Sequence, residues 1–281
     1  MTERIEILIV DDASGAKAAR ELAEAIARAA VPFLRCITLP RHGGAGEARN
    51  AGFAESRGQV VAFLDDDLVP SDTYLLDTIG AHERHAGALV INGDIGTLRD
   101  DVYARFWLSR YGSVFNGPGA SFRRIFALSS GHFSVKRALA SRVSPLFDPS
   151  LTSREDLDLF LRLEQAGVPV FKSDRVSALN DPRRSLWSLV RQHAWYGRGE
   201  YALRRKHTAE RIEAAQRRAR TGEARPFPLI DLTLGLAFHA ALRWEAFRRE
   251  RDPRALVRGA ARLLRAPGRL YRRWTAAKDP R

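Results

Sequence analysis

Short, uninterrupted apolar runs alternate with longer stretches whose apolar residues recur every three or four positions, the pattern of a chain that alternates strands with helices. The first run, residues 5–10, ends in Asp11 and Asp12. An alanine-rich helix is predicted over residues 16–30, with its charges on one side and Pro32 as its stop. Residues 34–39 read as a second strand, and a glycine-rich loop at 41–46 leads into a helix over 47–56. The run Val60–Leu64 is rich in β-branched residues, which predicts a strand buried on both faces of a parallel sheet. Residues 125–128 read as another strand, and leucines at helical spacing after Glu155 and Asp156 predict a helix with an acidic first turn. Residues 200–225 form a charged helical connection, and 229–247 a strongly apolar helix interrupted by Asp231, His239, Arg243 and Glu245. That last run is shorter than a comfortable membrane span and reads as an interfacial or core helix.

Chemistry concentrates where the Val60–Leu64 run stops, at Asp65, Asp66 and Asp67, with Pro70 just beyond. Three adjacent carboxylates at the carboxyl edge of a sheet repel one another and call for a cation. Their hard oxygens suit Mg2+ or Mn2+, especially an ion shared with a substrate diphosphate. A solvated acidic turn capping the next helix is the plainer reading of the same triplet. The glycine-rich loop permits close approach of a ligand and feeds a helix amino terminus, which favours anions. It lacks the Lys-Ser/Thr ending of a P-loop, so a plain strand-to-helix turn stays open beside the phosphate reading. Aromatic residues crowd 103–133, and most of them are expected in the core.

Charge divides the chain. Residues 183–281 carry a net +16 and residues 1–182 a net −3, out of +13 overall. A near-neutral body with a basic final third points to an anionic surface, and the tail narrows the choice. Beyond Arg254, Leu256, Leu263, Tyr271 and Trp274 keep helical spacing while Arg258, Arg262, Arg265 and Arg269 occupy other faces, as in a peripheral membrane anchor. Nucleic acid is disfavoured, because no zinc-finger spacing or nucleic-acid fingerprint accompanies the charge. Cys36 is the only cysteine, which excludes an intramolecular disulfide framework. No signal peptide is read at the start, and the expected location is cytoplasmic, peripheral on the inner face of the cell membrane.

Three segments, residues 7–14 (Ile-Leu-Ile-Val-Asp-Asp-Ala-Ser), 43–52 (Gly-Gly-Ala-Gly-Glu-Ala-Arg-Asn-Ala-Gly) and 63–67 (Phe-Leu-Asp-Asp-Asp), stand in an order and spacing that resembles family 2 glycosyltransferases of the GT-A fold. The resemblance implies an α/β Rossmann-like fold with a mixed, mainly parallel sheet flanked by helices, extended by a basic helical carboxyl end. It implies a UDP-, GDP- or dTDP-sugar donor, with Asp12 at the base and Asp11, Asp66, Arg49 and Arg198 as further donor contacts. Asp65 and Asp67 correspond to the metal-holding Asp-x-Asp pair, with His193 completing the shell. Asp156 corresponds to the general base, with Glu155 beside it, and Gly131 and His132 to an acceptor-facing loop. Acids at a helix amino terminus are also stabilised by the helix dipole without any catalytic role, and it is the upstream motifs that favour the catalytic reading of Asp156. A processive polymerase is disfavoured, since Gln192 is followed by His193, Ala194 and Trp195 with no arginine in place.

Residues 1–182 are therefore expected to form the catalytic domain, 183–225 an active-site-closing segment and connection, and 226–281 the basic amphipathic tail. One departure from the family is the absence of a strand and helix before the Val-Asp-Asp strand, which predicts either a gap beside the Asp-Asp-Asp strand or direct pairing of its neighbours. Met1 is accordingly read as an internal residue of a longer protein. The function so implied is an inverting, metal-dependent hexosyltransferase acting on a saccharide or lipid-linked acceptor in envelope or exopolysaccharide synthesis. The alternative is a non-catalytic protein on a degenerate GT-A scaffold that binds membrane or nucleic acid.

Overall fold

The computed structural model describes residues 5–115, 121–219 and 227–250. The proposed amphipathic tail beyond Arg254 lies outside these residues. The chain forms two units, one from Met1–Gly96 with Pro118–Asn180 and the other from Thr97–Gly117 with Asp181–Arg281. Residues 97–115, read from sequence as part of the catalytic body, thus group with the later helices.

The first unit is a mixed α/β fold in which strands β1 (Ile7–Asp11), β2 (Leu34–Thr38) and β3 (Val60–Leu64) are connected by helices α1 (Ala16–Ala29) and α2 (Ala45–Glu55). After β3 come β4 (Leu68–Pro70), α3 (Tyr74–Arg84), β5 (Val90–Thr97), β6 (Phe122–Ile125), β7 (His132–Lys136), α5 (Glu155–Gln165) and β8 (Val170–Asn180). β1 and β2 pair in parallel as a sheet of their own. The larger sheet runs β3-β7-β5-β8-β4, with β6 also on β8. β3 and β5 are both antiparallel to β7, and so parallel to one another.

Between the two sheets the chain has the gap rather than the direct pairing: β1 and β3 are not hydrogen-bonded to each other. Helix α2 nevertheless lies against both strands. A Cβ on its Gly52 would sit 3.2 Å from Val10 Cγ2 of β1, while the Phe53 ring stacks on Phe63 of β3 at 6.4 Å. With a partner on one edge only, β3 is not the doubly buried strand its sequence predicts: Phe63 is buried, but Leu64 is 38% exposed. The predicted strand at 125–128 also shifts, because β6 ends at Ile125, where register with Val170 of β8 fixes it.

The core under the site is aromatic. Phe63 and Phe133 stack at 4.7 Å, and Phe147 meets both edge-on at 6.0 Å. Arg137 closes the bottom, its guanidinium donating to the carbonyls of Phe53, Ser56 and Gly58 and so satisfying the carboxyl end of α2.

The second unit contains α4 (Val102–Phe115), α6 (Leu186–Lys206), α7 (Ala209–Ala219) and α8 (Pro228–Glu250). Phe106, Leu189 and Leu234 form its core, and the aromatics Tyr111 and Phe115 of α4 are buried as expected of core residues. α6 and α8 meet so closely at Gly197 that a Cβ there would lie 2.1 Å from the Phe238 carbonyl oxygen. Trp187, Trp195 and Trp244 remain exposed. No described helix is long and apolar enough to cross a membrane.

Candidate active site

The site of the first unit gathers on the turn that follows β3. Backbone holds this turn from outside the strand: Asp65 N donates to the Gly131 carbonyl at 2.9 Å, and Leu68 N to the Asp65 carbonyl at 3.2 Å. Gly131 is required by proximity, since a Cβ there would stand 2.4 Å from Asp65 Oδ2. The loop carrying Gly131 is itself pinned by buried Asn92, whose side chain accepts from Ser129 N at 3.0 Å and donates to the His132 carbonyl at 3.0 Å.

A single guanidinium ties the acidic residues together. Arg49 of α2 donates through Nη2 to Asp65 Oδ1 at 2.6 Å and through Nη1 to Glu155 Oε1 at 3.0 Å. Ser130 Oγ donates to the same Glu155 oxygen at 3.2 Å, and the guanidinium lies 5.4 Å from the centre of the Phe147 ring. Phe147 is in turn clamped by Asn50, which donates to its carbonyl at 2.7 Å and accepts from its N–H at 3.0 Å. Burial alone would lower the guanidinium's pKa, but the two carboxylates outweigh it and hold the pKa above the usual value.

Asp156 follows Glu155 in the first turn of α5, and its Oδ1 accepts from Leu157 N at 2.7 Å. Burial first, then the negative charge of Glu155, push its carboxyl up from 3.8 to about 6. A carboxylate of that basicity is suited to accept a proton near neutral pH. The adjoining residue Arg154 has φ of 68°, so the chain enters α5 through a left-handed turn.

Several predicted contacts have other partners. Asp12 accepts from Gly43 N through Oδ1 and from Gly44 N through Oδ2, both at 2.7 Å, so the amides of the glycine-rich loop face a carboxylate of the chain itself. Gly44, at φ 86°, supplies the left-handed backbone that this cradle requires. Asp11, read as a further donor contact, is buried and closes the turn after β1, accepting from Ser14 N at 3.1 Å. His132 is also a correction. Its ring is fully buried beside Tyr74, where burial holds its pKa down to about 4, so the surface offers no part of it to an acceptor here. Asp66 and Asp67 are exposed on the turn.

His193 and Arg198 lie on α6, in the other unit. His193 contacts the Leu189 carbonyl of its own helix through Nδ1 at 3.0 Å, and Arg198 is exposed. Among the described residues, no group of three or more His, Cys, Asp or Glu side chains could hold a metal ion. Asp65 and Asp67 nevertheless fit a divalent cation that takes its remaining oxygens from a diphosphate and water, because both are hard donors on one turn and the Gly131 backbone leaves room for the Asp65 carboxylate.

Sequence reading missed Ser130, Asn50 and Phe147. Ser130 and Asn50 adjoin residues that were selected, Gly131 and Arg49, and Phe147 has no signal of its own beyond being apolar.

The description glycosyl transferase family 2 matches residues 1–140. A pre-mycofactocin glycosyltransferase of Mycobacterium tuberculosis is 26% identical over 175 residues, 60% of this chain and 36% of its own length. An undecaprenyl-phosphate 4-deoxy-4-formamido-L-arabinose transferase of Pseudomonas savastanoi pv. phaseolicola is 43% identical over 110 residues, 39% of this chain and 32% of its own. The matches thus span about a third of the length of these curated relatives. Among solved structures, the Pyrobaculum calidifontis mannosyltransferase PcManGT, in complex with GDP-Man and Mn2+, aligns with a TM-score of 0.52 at 16% identity, covering 98% of this chain and 75% of that one. TarS 1-349 of S. aureus aligns with a TM-score of 0.52 at 15% identity, covering 96% and 74%. The shared architecture is the GT-A fold.

Proposed function

This chain belongs, through residues 1–140, to glycosyl transferase family 2, and from that premise we propose that it is an inverting glycosyltransferase, moving a sugar from a nucleoside-diphosphate donor to a hydroxyl of a saccharide or lipid-linked acceptor. The observation that carries the reading is the convergence of Asp65, Arg49 and Glu155 beside Asp156, whose pKa is raised to about 6.

In this mechanism Asp156 accepts the proton of the acceptor hydroxyl as that oxygen attacks the anomeric carbon. The bond from that carbon to the diphosphate breaks with its electron pair on the departing nucleoside diphosphate, and attack from the opposite side inverts the configuration. Glu155, anchored by Arg49 and Ser130, keeps Asp156 basic through its charge. Asp65 and Asp67 would hold a divalent cation, Mg2+ or Mn2+, which supplies charge stabilisation to the leaving diphosphate. The neighbour bound to GDP-Man and Mn2+ supports both the donor class and the ion. The relative named for undecaprenyl phosphate supports a lipid-linked acceptor.

A membrane surface is the natural location for that acceptor. Support comes from the net +16 of residues 183–281 and from the exposed Trp187, Trp195 and Trp244, aromatic groups that settle at lipid headgroup level. The proposed site of action is the inner face of the cell membrane.

The test is transfer of label from radiolabelled UDP-, GDP- and dTDP-sugars into lipid and saccharide fractions, comparing the wild type with Asp156→Asn. Transfer from one donor that falls by at least about a hundredfold in the variant supports the assignment. Equal transfer in both would remove Asp156 from the chemistry.

A further inference from the structure

We propose that Arg49 is the resident counter-ion of Asp65, competing with a divalent cation for the Asp65 carboxylate and thereby setting how tightly the ion is held. The inference rests on the metal reading of Asp65 and Asp67 given above, and assigns Arg49 a role different from contact with the donor.

Arg49 is a cation that the acidic turn meets within the chain itself, through Asp65. Its side chain is only 12% exposed, and the guanidinium stands 2.6 Å from Asp65 Oδ1 and 3.0 Å from Glu155 Oε1. A guanidinium often grips one carboxylate with two parallel N–H bonds, whereas here Arg49 is shown giving one N–H to each of two acids. That leaves Asp65 held by one bond that an incoming ion can replace, while the second bond, to Glu155, keeps Arg49 anchored in the site. Ser130 and the Phe147 ring support the anchored end.

Asp65 is also the member of the acidic turn best placed for exchange. Its backbone is fixed by Gly131, so the carboxylate can change partner without moving the chain. Its side chain is 41% exposed, which gives an aqueous ion access. A positive charge hydrogen-bonded to the same carboxylate disfavours a second cation both by repulsion and by occupying an oxygen. The arrangement therefore links occupancy at Asp65 to the charge environment of Glu155 and Asp156: the guanidinium that leaves one acid remains with the other.

The experiment measures Mn2+ binding, with Mn2+ alone as the probe, from the free-ion electron paramagnetic resonance signal at pH 7.5. It compares the wild type with Arg49→Met, Arg49→Met/Glu155→Gln and that double variant with Asp65→Asn added. The double variant avoids leaving Glu155 as an unpaired buried charge, and serves if the single one is poorly folded. Competition predicts that the Mn2+ dissociation constant falls by about tenfold in the Arg49 variants, and that adding Asp65→Asn to the double variant abolishes the gain. Unchanged or weaker Mn2+ binding in the double variant overturns the proposal, as does a gain that survives Asp65→Asn. Wild-type stabilisation by a nucleoside diphosphate with Mn2+ is measured beside it. If that stabilisation is present while the Arg49 variants show no gain, the counter-ion role alone has failed. If it is absent, the donor-site reading has failed.

Discussion

Asp156 pairs a cost in stability with a chemical use. Its folded-state pKa of about 6 lies above the ordinary 3.8, so the folded state binds this proton more tightly than the unfolded chain does. The stability this group contributes is therefore full below about pH 4 and is lost as pH rises through 6. Asp156→Asn cannot ionise, and its melting temperature is expected to exceed that of the wild type by a few degrees at pH 7.5, on the order of 1–3 kcal/mol, with the difference closing towards pH 4.5. Thermal unfolding across pH checks this, and activity in the wild type should rise through the same pH range. Gly131 gives a second expectation at this scale. Gly131→Ala would press a methyl group to within 2.4 Å of Asp65 Oδ2, displacing the carboxylate, so Mn2+ binding should weaken by tenfold or more while the fold persists, as read by Mn2+ titration beside circular dichroism. The Asp65–Asp67 triplet was legible from sequence because adjacent like charges after an apolar run need a counter-charge. The partner that provides it, Arg49, was legible only as a residue in a motif. Its bridge to Glu155 joins positions 106 apart, and no local pattern encodes that distance.

Elements were legible where one period dominates. β3 was located to the residue, and α5 begins at the acidic pair that marked it, because leucine spacing and a charged first turn agree. Burial of β3 was not legible: a strand's apolar content does not state whether both its edges are paired, and here only β7 pairs with it. The glycine-rich loop was ambiguous for a similar reason, since an amide that suits phosphate also suits Asp12. The helix pair α6 and α8 makes a sharper prediction. Any Cβ at Gly197 meets the Phe238 carbonyl oxygen, and two helix backbones must separate to admit it. Gly197→Val is expected to destabilise the protein by about 2–4 kcal/mol despite the poor helix propensity of glycine, measurable as a lower denaturation midpoint in urea.

At the scale of the whole molecule, charge and fold divide differently. The charge boundary near residue 182 was visible in composition, but α4, far upstream in sequence, joins the basic unit because its Phe106 packs with Leu189 and Leu234. If the basic unit meets a lipid surface, the protein should sediment with vesicles containing phosphatidylglycerol and not with neutral phosphatidylcholine vesicles, and about 0.5 M NaCl should release most of it. Retention on neutral vesicles at high salt would place apolar insertion ahead of charge. A donor site built on Asp65 and Asp67 is read out by a thermal-shift titration with Mn2+ and UDP, GDP, dTDP or CDP, on the wild type and Asp67→Ala. One nucleotide is expected to raise the wild-type melting temperature by several degrees only when Mn2+ is present, and Asp67→Ala to abolish the shift. Stabilisation that is equal without Mn2+, or that survives in Asp67→Ala, would contradict it.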